Sequence, residues 1–163
     1  GSKGKYEPYS IPEGKARIGY HYFTLEEINS CLWDVLKKKN GPNYDKKGVA
    51  TRDVNMLRLF VESTSEDVWI TFYNRHLYWC RLENTPLLED SISRYRTVTD
   101  RWSSYNIKDQ ELIEDQIPGN ISKIQGFRAA ICRVKEVGGL ERLINGMPRA
   151  CYELWLGDGR LQA

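Results

Sequence analysis

The sequence predicts an α+β fold, a compact mixed sheet with helices packed around it, and three segments carry that reading. Asp67 to Glu83, DVWITFYNRHLYWCRLE, reads as a β-hairpin, because two runs of β-branched and aromatic residues flank the polar break Asn74-Arg75-His76. Thr24-Leu25-Glu26-Glu27 is a capping box, and it opens a helix whose apolar stripe is Leu25, Ile28, Leu32, Val35 and Leu36. Phe127 to Val134, FRAAICRV, is mostly apolar and reads as a central strand. A chain of 163 residues suffices for one domain with a real core.

The remaining elements follow in order. Gly1-Ser2 reads as a cloning scar and is set aside, leaving a single domain over residues 3–163. Such a scar suits a domain excised from a longer protein. The first twenty residues are turn-rich, with Pro8, Pro12 and Gly14, and Ile18 to Phe23 is expected to be an edge strand. Lys37, Lys38 and Lys39 fall in the last turn of the capped helix, where cations suit its dipole, and Gly41-Pro42 ends it. Trp33 lies about 110° from the stripe centre by helical geometry and is expected on the flank. Thr51 to Glu62 fits a second helix with Val54, Leu57, Phe60 and Val61 inward. Ser93 to Thr99 reads as a strand, Ile107 to Ile117 as a short acidic helix, Ile121 to Ile124 as a helical turn, and Gly139 to Asn145 as a last short helix. Tyr152 to Leu156 is a final apolar patch, helix or strand.

The faces of the hairpin decide what kind of function to expect. With Asn74, Arg75 and His76 as a three-residue loop, Val68, Ile70, Phe72, Tyr78, Cys80 and Leu82 share one face and make a good core. Trp69, Thr71, Tyr73, Leu77, Trp79 and Arg81 share the other. A two-residue turn at Asn74-Arg75 mixes these sets and leaves no clean core face, so the longer loop is preferred. Two readings of the aromatic face stay open: a covering sheet or helix, or a pocket for a flat ligand such as a nucleobase. Trp102, in the polar stretch RWSSYN, is likewise a lid over an apolar patch or a ligand-facing residue.

Charge and composition narrow the function. The net charge is only +2, so the whole chain predicts no strong polyanion binding. The charge is uneven, however: KKKNGPNYDKK at positions 37–47 is the most basic run, either a solvated loop or a phosphate-contacting one. Cys31, Cys80, Cys132 and Cys151 form no C-x-x-C pair and are expected as buried free thiols of a cytoplasmic protein. His21 and His76 are too scattered for a readable zinc site, and no metal or cofactor is expected. The G-x-S-x-G, H-E-x-x-H, G-x-G-x-x-G and Walker patterns are all absent. The adjacent carboxylates Glu89-Asp90 and Glu114-Asp115 are expected to be solvated. There is no apolar run near membrane-spanning length. The balance favours a binding module over an enzyme.

The acidic-aromatic start Glu66-Asp67-Val68-Trp69, the paired strands to Leu82, and the late strand Phe127–Val134 followed by Leu140–Ile144 resemble the PUA-like group of domains, which includes the EVE, ASCH and YTH families. The resemblance implies a partly barrel-like sheet and a pocket that holds one flipped base, often methylated, between aromatic rings. It also implies attachment to, or association with, a nuclease that restricts modified DNA. The candidate walls are then Trp69, Tyr73, Trp79 and Trp102, with Trp33 ranked below these four. Thr71, Asn74, Ser103, Ser104 and Asn106 are candidates for the base edge. Lys37, Lys38, Lys39, Lys46, Lys47 and Arg81 are candidates for phosphate. The expected partner is DNA, modified or not, or RNA. The rival readings are a protein–protein interaction domain that docks its aromatic face and a nuclease with an unrecognised site.

Overall fold

Among the described residues the strands form two small antiparallel sheets, and neither closes into a barrel. They are seen in a computed structural model that describes residues 4–43, 47–126 and 131–147. The first sheet has the order β1 (Lys15–Ile18), β5 (Arg94–Thr97), β4 (Leu88–Glu89), with Lys15 opposite Thr97 and Leu88 opposite Tyr95. The second is the hairpin of β2 (Val68–Tyr73) and β3 (His76–Arg81). A bridge between Leu82 and Val98, with the flanking bonds Glu83 N–H to Thr97 and Thr99 N–H to Arg81, joins the two. The mixed α+β class is as the sequence predicts. The partly barrel-like sheet is not formed, because strands of two to six residues leave both sheets narrow and open.

The hairpin turns on two residues, not three. Tyr73 pairs with His76, and the turn residues Asn74 and Arg75 have φ of 48° and 62°. That is the left-handed geometry that matches strand twist in a two-residue hairpin. The register puts Val68, Ile70, Phe72, Leu77, Trp79 and Arg81 on one face and Trp69, Thr71, Tyr73, His76, Tyr78 and Cys80 on the other. The three-residue expectation fails because it assumed one core face. Here both faces are covered. Cys80, Trp69 and Tyr78 pack into a cluster with Ile28, Leu36, Leu57, Phe60 and Val98. Leu77, Val68, Ile70, Phe72 and Trp79 pack into a second cluster with Leu112, Ile117, Ile121, Leu140 and Ile144.

Helices wrap the first cluster. The turn-rich start holds α1 (Glu7–Glu13), with Pro8 in its first turn and Gly14 closing it at φ 64°. The expected edge strand at Ile18–Phe23 is displaced upstream to β1. The Thr24 capping box is present, since Thr24 Oγ1 accepts from the Glu27 amide at 3.1 Å. The helix it opens is not continuous, however. It runs as α2 (Leu25–Asn29), breaks at Cys31 with φ 58°, and restarts as α3 (Trp33–Asn40). The break rotates the stripe. Trp33 turns inward and donates its indole N–H to Glu62 at 3.1 Å, while Leu32 and Val35 are 59% and 58% exposed. The helix α4 (Lys47–Glu62) packs on α3 and buries Val54, Leu57 and Phe60 as expected.

One buried arginine ties α4 to the first sheet. Arg96 Nη1 donates to the carbonyls of Phe60 at 3.0 Å and Ser63 at 2.6 Å, and Nη2 donates to the carbonyl of Glu83. It thereby satisfies carbonyls that the last turn of a helix leaves without partners. At the other end of β5, Asp90 accepts both Arg17 Nη1 and Nη2, at 2.8 and 2.7 Å, and Lys15 at 3.1 Å. The Arg17 guanidinium, with help from the Ser93 and Ile92 amides, holds the Asp90 carboxyl far below the usual carboxylate range. Asp90 is therefore a structural anion rather than a solvated one.

The second cluster is closed by α5 (Gly119–Ser122), 3₁₀ turns at Glu114–Gln116 and Lys123–Gly126, and α6 (Val137–Ile144). The acidic helix expected at Ile107–Ile117 is absent. That stretch instead lies along β3, with Leu77 N–H bonded to the Leu112 carbonyl at 2.9 Å and His76 bridged to Ile113. Of the expected strand Phe127–Val134, positions 127–130 lie outside the described residues. Ile131 to Val134 form no strand, although Ile131 is buried. Tyr152 to Leu156 also lies outside them.

Candidate functional site

The two-residue turn separates the aromatic walls that the sequence placed together. Trp69 and Tyr73 leave one face of the hairpin, and Trp79 and Arg81 leave the other. Trp69 is half-buried against the first cluster: its ring meets Phe60 edge-on at 5.2 Å and its N–H reaches Ser63 Oγ at 2.8 Å. Thr71, on the same face, donates to the Glu7 carboxylate at 3.2 Å. Trp102 is buried, with its N–H on the Lys15 carbonyl at 2.9 Å, so it acts as a lid over the first cluster. Asn74 is exposed in the turn. Asn106 is buried, and its amide holds its own turn together through Gln110 and the Lys108 amide. The Ser104 carbonyl accepts from Leu112.

The lysines separate too. Lys37 approaches Asp34 at 3.8 Å, Lys39 pairs with Glu27, and Lys38 is exposed on α3. Lys47 begins α4, and Lys46 lies outside the described residues.

Three sequence candidates do meet. Trp79, Arg81 and Ser103 line a depression of about 260 Å³, together with Thr99, Asp100 and Arg101. The edge of β3 builds it. Thr99 N–H bonds to the Arg81 carbonyl at 2.8 Å, and Trp79 and Ser103 exchange a pair of bonds at 2.9 Å. Between these points the chain loops outward through Asp100, whose φ is 58°. Trp79 is fixed by its indole N–H on the Tyr105 carbonyl at 2.7 Å. Arg81 is oriented by the Glu66 carbonyl at 2.6 Å. Arg101 and Thr99 were not among the sequence candidates. The available signal was a basic residue beside Trp102 in a loop that leaves a strand.

A second depression, of about 270 Å³, opens further along the same edge among Gln110, Glu111, Gln116, Ile117 and Leu143. The neighbouring His76 places Nδ1 2.8 Å from the Asn74 carbonyl and Nε2 2.6 Å from Glu111 Oε1, and its protonated form donates to both. The carbonyl first and then the carboxylate raise the imidazole above its ordinary value. Burial pushes the Cys80 thiol well up, whereas Cys31 is exposed at the helix break, contrary to expectation; Cys132 is half-buried. Cys151 lies outside the described residues. Among the described residues no group of three or more His, Cys, Asp or Glu is placed to hold a metal ion. No described helix is long and apolar enough to cross a membrane.

Comparison with protein-family models, with curated proteins and with solved structures finds no match to the chain.

Proposed function

We propose that the chain is a non-catalytic nucleic-acid-binding module that seats an unpaired or flipped base in the groove of Trp79, Arg81 and Arg101. The observation that carries this reading is the composition of that groove: an indole, two guanidinium groups against the single carboxylate of Asp100, and the hydroxyl-bearing Thr99 and Ser103, around about 260 Å³. A base needs a flat apolar surface, hydrogen-bonding groups at its edge, and cations for the phosphates beside it. Stacking supplies about 1–3 kcal/mol per base. Taking a base out of a duplex costs a few kcal/mol, which favours damaged, mismatched or single-stranded sites. The resemblance to PUA-like domains extends the proposal to its finer form: a reader of modified DNA bases that serves as the specificity module of a restriction-type protein.

The test is fluorescence anisotropy with methylated and unmodified DNA duplexes, single-stranded DNA and RNA, at two salt concentrations. Binding is expected, and it should weaken steeply as salt rises, because arginine–phosphate contacts release counterions. Arg101→Ala, which removes an exposed side chain, is expected to lower affinity about tenfold at low salt without altering the melting temperature. Trp79→Ala should lower it further, but it also opens the second cluster. Absence of binding to all four nucleic acids would overturn the proposal. Salt-insensitive binding untouched by Arg101→Ala would do the same.

A further inference from the structure

Segment 103–113 carries a pairing that the groove does not use. It leaves the edge of β3 at Ser103, turns between Asn106 and Gln110, and returns at Leu112. Tyr105 and Glu111 face each other across this excursion as an antiparallel bridge. Directly opposed residues project from the same face, with their β-carbons about 5 Å apart. Both are exposed, Tyr105 at 46%. The exposure of Tyr105 does not come from a loose backbone. Its carbonyl accepts from Trp79 Nε1 at 2.7 Å and from Ser103 Oγ at 3.0 Å, and its N–H donates to Ser103 Oγ at 3.1 Å. Glu111 is oriented as well, because His76 holds Oε1 at 2.6 Å. A carboxylate has about four lone-pair sites, so accepting capacity remains. Glu111 also lines the 270 Å³ depression, with the exposed Gln110 and Gln116 and the buried Leu112 and Ile117 among the other residues around it.

We infer that Tyr105 and Glu111 form a second base-reading subsite, selective for guanine, next to the Trp79 groove. The inference rests on the nucleic-acid reading of that groove and names the base that its neighbour takes. The phenol ring is the stacking surface. The carboxylate only accepts hydrogen bonds. On the Watson–Crick edge, guanine alone offers two adjacent N–H donors, at N1 and N2. Adenine and cytosine set a ring acceptor beside their amino group, and thymine and uracil flank one donor with two carbonyls. Each of these would turn a lone pair towards Glu111. The residues contact the base alone, so guanine in DNA and in RNA presents the same chemistry.

The test uses the full chain and short single strands, DNA and RNA in parallel, in which one position of a pyrimidine strand is guanine, inosine, adenine or cytosine. Inosine keeps N1–H and lacks the N2 amino group. Guanine is expected to bind about tenfold more tightly than inosine. Glu111→Gln should erase that difference. Tyr105→Ala should weaken all strands about tenfold, and Tyr105→Phe should restore binding. The DNA and RNA arms show which sugar is accepted. Equal binding of guanine and inosine overturns the inference, as does a preference that survives Glu111→Gln. If binding in those cases still requires Arg101, the reading of the groove stands. If no strand binds, both fall.

Discussion

Arg96 shows how far a side chain can be from the place its chemistry suggests. It is 2% exposed and has no carboxylate partner in hydrogen-bonding reach among the described contacts, only carbonyls. Burial pulls its pKa down, with the more distant Asp67 opposing, yet a guanidinium stays charged at any working pH. Arg96→Met should therefore destabilise the domain by about 3 kcal/mol or more, since the carbonyls of Phe60, Ser63 and Glu83 would be left dry and unpaired. Urea unfolding measures it. Arg96→Lys should recover only part of the loss, because an ammonium cannot reproduce the fork. The alternation of SRYRTVT gave the strand, but nothing local says that its arginine side faces inward, because arginine is mostly solvated. Trp33 was misplaced for a related reason: its position depends on a helix break that no strong breaker marks. The indole donors of Trp33, Trp69, Trp79 and Trp102 all meet protein acceptors, and that too is settled by tertiary neighbours rather than by sequence spacing.

At the scale of elements, starts and types were more legible than registers. The capping box placed the start of α2, and the hydrophobic period placed the buried face of α4. The hairpin itself was legible. Its register was not, because the longer loop gathers the aliphatic residues on one clean core face, whereas the two clusters divide them between both faces. The turn now offers a direct test. Arg75 sits at φ 62°, where a β-carbon is strained, and its ion pair with Asp115 is highly exposed on both sides. Arg75→Gly should therefore stabilise the protein by about 0.5–1 kcal/mol, because the strain outweighs a surface salt bridge. A shift in the denaturant midpoint without a change in slope would show it; a fall in stability would contradict the turn assignment. His76 ties the same turn to segment 103–113. Its folded pKa is raised, so this stabilisation is complete below the unfolded value of about 6.5 and is lost as pH rises through the folded value. The melting temperature should fall across that window, and His76→Gln should flatten the fall.

For the molecule as a whole, the hairpin is the middle layer between two apolar clusters, and the candidate sites lie on the open edge of β3 where later chain comes back to it. That explains which site residues sequence reasoning found. Trp79, Arg81 and Ser103 were visible as residue types, but their meeting depends on a bridge across more than twenty positions. Tyr105 and Glu111 were not singled out, since one reads locally as polar loop and the other as part of a short helix, and only the return of the chain pairs them. The middle layer has one further consequence. In an ordinary half-buried hairpin, a slip of one residue drives apolar side chains into water and is rejected at once. Here both faces pack on apolar clusters, so a slipped hairpin would still bury much of its surface and would be refused less by burial than by the shapes of the two clusters. Burial alone would then discriminate weakly between registers at the centre of the fold, and besides the cluster shapes the short turn at Asn74-Arg75 fixes the pairing.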